Sequence, residues 1–351
     1  MMKQGKEARR RRKIAVIVVL VLVFLLVIII GGFQLLKAVG KANLRKAAAA
    51  ETPVLESREE ISQEEAEEGI VAHNGKKYRY NDKITTILCM GIDTSQEVES
   101  AEMGNAGQAD TIFLLVLDEK TNKMSLIGIP RDTMTDISIY DMYGNYFTTQ
   151  KDHIALQYAY ADGKELSGSS MVSAVSNLMY GLPIHAYAAI NMEAIAVIND
   201  AVGGVTVTVP TEDTDFLKAS GYTGGEKVTL KGQEAVQFVR SRDCKTFASN
   251  NLRIARQKEY MLGFISAAKA KMSENMALPV QIFQKITPYL NTDISIDKVT
   301  YLATLAANMS FDNNQLLTVK GEVQQGEIFE EYHVDDNALY ELILDIFYEE
   351  I

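Results

Sequence analysis

Five arginines and three aspartates stand in this sequence at turns where they could handle phosphate. Phe238 to Gln257 reads FVRSRDCKTFASNNLRIARQ and carries Arg240, Arg242, Arg253 and Arg256. Arginine suits phosphate because its planar fork donates two parallel hydrogen bonds and its charge is permanent. Arg240 and Arg242 are two apart, which on a strand points both to one face. Arg253 and Arg256 lie one turn apart at the start of a predicted helix. The same four side chains would also serve as surface ion pairs. Asp93 follows an apolar run as GIDT, Asp110 precedes a second as ADT, and Pro130-Arg131-Asp132-Thr133 follows a third. Two carboxylates brought to one rim repel unless a cation joins them, and Mg²⁺ favours one or two carboxylates plus substrate phosphates. Read singly, each aspartate is a loop or capping residue. Arginines, acids and a divalent ion converging on one rim describe a diphosphate site, where metal and guanidinium groups neutralise a departing phosphate.

The elements that must position these residues are legible as short apolar, β-rich runs: Lys83 to Met90, Thr111 to Leu117 and Lys123 to Ile129. Runs without alternation predict strands buried on both faces, as in the centre of an α/β sandwich. Helical periodicity follows at 155–162, 169–180 and 192–201, Gly203-Gly204 breaks into a strand at 205–209, and helices are predicted at 251–272, 279–290, 296–309 and 335–351. The alternation predicts an α/β fold, an α-β-α sandwich around a central mixed sheet. Ligands in such sheets bind at strand ends along one edge.

Before this domain, the first 13 residues hold seven basic side chains and one acid, and 14–30 is an unbroken apolar run. That pattern predicts a single transmembrane helix over 14–36 with the basic segment cytoplasmic and the remainder extracellular. A cleaved signal peptide is the competing reading, with Ala38-Val39-Gly40 as a small-x-small site. Residues 37–77, rich in Ala and Glu, read as a solvated acidic stalk, partly helical or disordered. The domain is predicted over 78–351, with a core at 83–272 and a helical C-terminal extension at 278–351. The formal charge of -11, with +6 in the first 13 residues, leaves -17 on the rest. So acidic a domain excludes general nucleic-acid binding. Walker, Gly-x-Ser-x-Gly and His-Glu-x-x-His signatures are absent. Four histidines are scattered without ligand spacing, and two cysteines, Cys89 and Cys244, make no disulfide framework, though one pairing stays open.

The motifs GID at 91–93, ADT at 109–111, IPRDT at 129–133, AVGGVTVTVP at 201–210, LKGQEAVQFVRSRD at 230–243 and RIARQ at 253–257 together resemble the LytR-CpsA-Psr family of Gram-positive envelope proteins. The resemblance implies an α/β sandwich that holds a polyprenyl (pyro)phosphate. It also implies transfer of a glycopolymer from an undecaprenyl-diphosphate carrier to a peptidoglycan hydroxyl, assisted by Mg²⁺ or Mn²⁺, with pyrophosphatase turnover as a side activity. By position, Asp93 and Asp110 match metal-binding aspartates. Arg131, Arg240, Arg242 and Arg253 match arginines that hold the diphosphate, and Gln257 closes the motif. An apolar tunnel for the lipid is implied near the helices at 169–201. Asp132 and Asp243 would orient arginines or take the acceptor's proton. The chain departs from the family's pattern at Ser95, Gln108 and Asn250, which stand where two arginines and an aspartate are common. A polyprenyl-phosphate-binding or regulatory protein with weakened turnover is the alternative. Transcriptional attenuation conflicts with an acidic domain outside the membrane.

Overall fold

The computed structural model describes residues 31–47, 53, 55–212, 214–241 and 249–351. Strands β1 (Ile84–Ile92), β2 (Ala109–Asp118), β3 (Lys123–Gly128), β4 (Ala186–Asn191), β5 (Leu290–Thr292) and β6 (Leu316–Thr318) form one sheet in the order β5-β4-β1-β2-β3-β6. The β4–β1 and β3–β6 pairs are parallel and the others antiparallel, so the sheet is mixed. The helices used below are α1 (31–47), α2 (Glu165–Leu178), α3 (Met192–Ala201), α4 (Gln233–Arg240), α5 (Ser249–Glu274), α6 (Ile296–Asn308) and α7 (Asp336–Phe347).

Side-chain alternation divides the central strands between two cores. Leu88, Met90, Leu114 and Val116 join α2 and α7 on one face. Ile87, Leu115 and Leu117 meet Leu44 of α1 and Tyr301, Leu302 and Leu305 of α6 on the other. Both faces are covered, which explains why these strands read as continuous apolar runs. A third cluster packs the hairpin Val205–Thr208/Lys227–Leu230 against Phe216, Phe238 of α4 and Tyr260 of α5.

Several elements differ from the sequence reading. Arg240 ends a helix rather than lying on a strand, because Ala235, Val236, Phe238 and Val239 form a helical stripe buried against the third cluster. The segment before Tyr78 is packed. Leu55 and Val71 join the first core, and Ile70–His73 and Lys76–Tyr80 make a sheet with Tyr348–Glu350, which ends the last helix at Phe347. Helix α1 also docks. Leu44 is fully buried, Glu119 pairs with Lys41 and with Arg45, and a Cβ at Gly40 would lie 2.2 Å from the Asp297 carbonyl oxygen. The basic segment 1–13 and the apolar run 14–30 lie outside the described residues. Among those described, no helix is long and apolar enough to cross a membrane.

Candidate functional site

Antiparallel pairing brings the chemistry to one edge. The end of β1 lies beside the start of β2, and the end of β3 returns to that place. Asp93, Asp110 and Arg131-Asp132 therefore share a rim. Between β1 and β2 the register slips: Gly91 faces Thr111 and Ile92 faces Ala109, leaving Asp110 as the extra residue. A bulge of this kind re-aims a side chain. The Asp110 carboxylate turns to the arginines, with Oδ1 accepting from Arg131 Nη1 and Oδ2 facing Arg253 Nη1 at 3.4 Å.

Arg131 is held on three sides. Its Nε–H donates to Asp132 Oδ1 at 3.1 Å, Nη1 to Asp110, and Nη2 to Gln108 Oε1 at 2.8 Å. A guanidinium has five N–H donors. Three are taken, so one remains on each terminal nitrogen, the number a phosphate accepts from a fork. Gln108 also reaches Asp93, its backbone N–H donating to Asp93 Oδ1 at 2.6 Å while Asp93 N–H donates back to the Gln108 carbonyl at 3.1 Å. That tight turn needs Gly107, whose φ is +81° and whose hypothetical Cβ would lie 2.6 Å from Thr94 Cγ2 and 2.9 Å from Asp93 Oδ1.

Helix α5 supplies the other wall. Arg253 and Gln257 are four apart and share a face. Gln257 Nε2 donates to Thr111 Oγ1 at 3.0 Å and to the Val239 carbonyl at 3.2 Å, tying α5 to the start of β2 and the end of α4. Arg253 is buried, whereas Arg240 is exposed at the α4 terminus. Arg256 is the most enclosed, at 1% exposure. It donates to the carbonyls of Phe238 and Ser241 and stacks 4.3 Å over the Phe216 ring, a structural role reached through carbonyls and an aromatic face. A small crevice of about 20 Å³ lies under the rim, lined by Asp110, Thr111, Arg131, Ile254, Gln257 and Thr318. A larger cleft of about 600 Å³ lies between Ile92, Ala189, Tyr158 and the loop after Asp93.

The structure thus brings together Asp93, Asp110, Arg131, Asp132, Arg253 and Gln257. Arg242, Asp243 and Cys244 lie outside the described residues, as does the side chain of Asn250. Gln108 as a contact to Arg131 was missed in sequence, where it reads only as a lost arginine. The four histidines sit elsewhere. Buried His185 accepts from the Thr86 N–H at 3.1 Å, and burial lowers it to about 4. Among the described residues Cys89 has no disulfide partner, and burial raises its thiol pKa to about 12.

Among the described residues no three His, Cys, Asp or Glu side chains cluster as a metal cage. Asp93 keeps Oδ2 without a hydrogen bond among the described residues, and Asp110 gives one oxygen to each guanidinium. Asp93 Oδ2 is the oxygen open to a cation, and a divalent ion held there with Asp110 would draw its remaining shell from phosphate and water, the composition Mg²⁺ favours.

A mixed sheet with helices on both faces, with arginines and carboxylates gathered along one edge, defines an α/β sandwich domain. The LytR_cpsA_psr family model matches residues 45–343, and the chain belongs to that family. A polyisoprenyl-teichoic acid–peptidoglycan teichoic acid transferase, TagU, of Oceanobacillus iheyensis is 29% identical over 247 residues, covering 70% of this chain and 68% of that protein. TagU of Bacillus subtilis strain 168 is 31% identical over 159 residues, 45% of this chain and 44% of that protein. Among solved structures, Lin1025 from Listeria innocua matches with a TM-score of 0.52 and 25% identity over 75% of this chain and 96% of that one. TagT bound to LI-WTA matches with 0.56 and 19% over 75% and 89%, a likeness of fold.

Proposed function

We propose that this chain is a transferase that moves a glycopolymer from a polyprenyl-diphosphate carrier to a peptidoglycan hydroxyl. The observation that carries the reading is the Arg131–Asp110–Arg253 array at the sheet edge, in a family whose named relatives are teichoic acid transferases. The acceptor hydroxyl forms a bond to the sugar-side phosphorus while the bond from that phosphorus to the bridging oxygen breaks, and polyprenyl phosphate leaves. The two remaining Arg131 N–H groups take the diphosphate oxygens, and Arg253 adds a second fixed charge. Arg240, at the end of α4, and Arg242, which the family resemblance assigns, would complete the grip. Gln257 keeps α5, and so Arg253, at the rim. The acceptor's proton passes to a carboxylate, with Asp132 at the rim and Asp243, assigned by the family resemblance, as the candidates.

A Mg²⁺ or Mn²⁺ ion bound by Asp93 and Asp110 would supply further neutralisation of phosphate charge. The cleft beside Ile92, Ala189 and Tyr158 would receive the first isoprene units. The apolar run at 14–30 would anchor the protein in the cell membrane as a single-pass span, with residues 1–13 cytoplasmic and the domain extracellular, beside the lipid donor.

The test is a transfer assay with full-length protein, an undecaprenyl-diphosphate-linked glycopolymer and peptidoglycan. Metal-dependent formation of polymer-linked peptidoglycan is expected, together with release of polyprenyl phosphate. Tight lipid binding without transfer would instead favour a polyprenyl-phosphate-binding regulator, the reading that Gln108 in place of the family's arginine supports.

A further inference from the structure

Gln108 is the described residue that joins Asp93 to Arg131. Its backbone N–H and carbonyl bind Asp93, its side-chain oxygen takes Arg131 Nη2, and its carbonyl also accepts from Asp110 N–H at 3.0 Å. The turn that puts it there is built on Gly107, where a side chain would collide with Thr94 and Asp93. A neutral amide here differs in kind from a third carboxylate. It removes one Arg131 N–H from competition without cancelling the guanidinium charge, which Asp110 and Asp132 already balance. A carboxylate would do the same at the cost of repelling a diphosphate. Gln108 Nε2 makes no hydrogen bond among the described residues, which leaves the two amide N–H groups available to a ligand.

We infer that Gln108 is a positioning residue of the phosphate site: its side-chain oxygen fixes the plane of the Arg131 guanidinium so that the last two N–H groups face the ligand as a fork. The inference rests on the transferase reading. It assigns to this chain a way of orienting Arg131 without a further cation at position 108.

A double-mutant cycle tests it, because coupling between two residues is a readout that general loosening of the fold does not produce. KM and kcat are measured on full-length protein with the polyprenyl-diphosphate-linked donor for Gln108→Ala, Arg131→Ala and the double variant, with farnesyl diphosphate binding and melting temperature in parallel. Gln108→Ala is expected to raise KM and the farnesyl diphosphate Kd about 5–10-fold, and to add less than about 2-fold once Arg131 is alanine. Gln108→Glu retains the acceptor toward Arg131 but adds negative charge, and is expected to weaken farnesyl diphosphate binding at least as much as Gln108→Ala. Equal effects of Gln108→Ala in both backgrounds, or none in the parent, would overturn the inference. If Arg131→Ala alone left binding and turnover unchanged, the transferase site itself would be misplaced and this inference would fall with it.

Discussion

Two regions of this molecule use arginine in opposite ways. At the sheet edge, Arg131 and Arg253 face the Asp110 carboxylate, and Arg131 keeps two N–H groups in reserve. Where α5 packs against α4, Arg256 donates to two carbonyls, stacks over an aromatic ring and is closed to solvent. A carboxylate holds an arginine by charge, which a phosphate can share or replace. A carbonyl in a helix end holds it by geometry that nothing in solution can replace. Arg253 and Arg256 are one turn apart on the same helix, so residue type and spacing do not distinguish the roles; partners do.

The largest expected effect breaks the rim. Arg131→Ala should lower turnover about 100–1000-fold, the usual loss when a preorganised charge donor is removed from a transition state, with little change in melting temperature because Arg131 is partly exposed. Steady-state kinetics beside thermal unfolding check both halves. The converse variant, Arg256→Met, keeps the bulk but leaves the Phe238 and Ser241 carbonyls unpaired. It should cost roughly 2–4 kcal/mol of stability, with turnover per folded molecule within about 3-fold of the parent. Urea unfolding gives the first number and activity normalised to folded protein the second. A large activity loss without destabilisation would erase the contrast between the two arginines.

Acid sharpens the comparison from a third place. His185 is held neutral by burial, its pKa lowered from 6.5 to about 4. A base whose folded pKa is depressed contributes stability that is complete above pH 6.5 and lost as pH falls toward 4, up to roughly 3 kcal/mol. His185→Gln should flatten that slope without altering farnesyl diphosphate binding at pH 7, and unfolding midpoints measured between pH 4 and 7 will show it. The smallest effect is expected at Gln257. Gln257→Ala removes the bond to Thr111, should cost about 1 kcal/mol, and should reduce turnover only several-fold through a displaced Arg253, measurable as a rise in KM.

Much of this arrangement was legible in the chain. The three apolar runs became β1, β2 and β3, and Asp93, Asp110 and Pro130-Arg131-Asp132 met because antiparallel neighbours return to one edge. The bulge that turns Asp110 was not legible, since a register slip depends on both strands. The Arg240 segment read as strand because Val236, Phe238 and Val239 favour β, yet its apolar positions also fit a helix and tertiary packing chose the helix. Strand β4, AYAAIN, lacked β-branched density, and only its place beside β1 makes it a strand. The stalk predicted over 37–77 seemed solvated because its acids outnumber its core residues, but Leu55 and Val71 suffice to pin its second half.

In the proposed reading the rim, and not the Arg256 site where α5 packs against α4, grips the diphosphate. Calorimetric titration of full-length protein with farnesyl diphosphate and Mg²⁺ tests it most directly. Arg131→Ala is expected to weaken binding at least about tenfold while Arg256→Met, at a temperature where it stays folded, binds like the parent. Equal affinity for Arg131→Ala and the parent would contradict the claim.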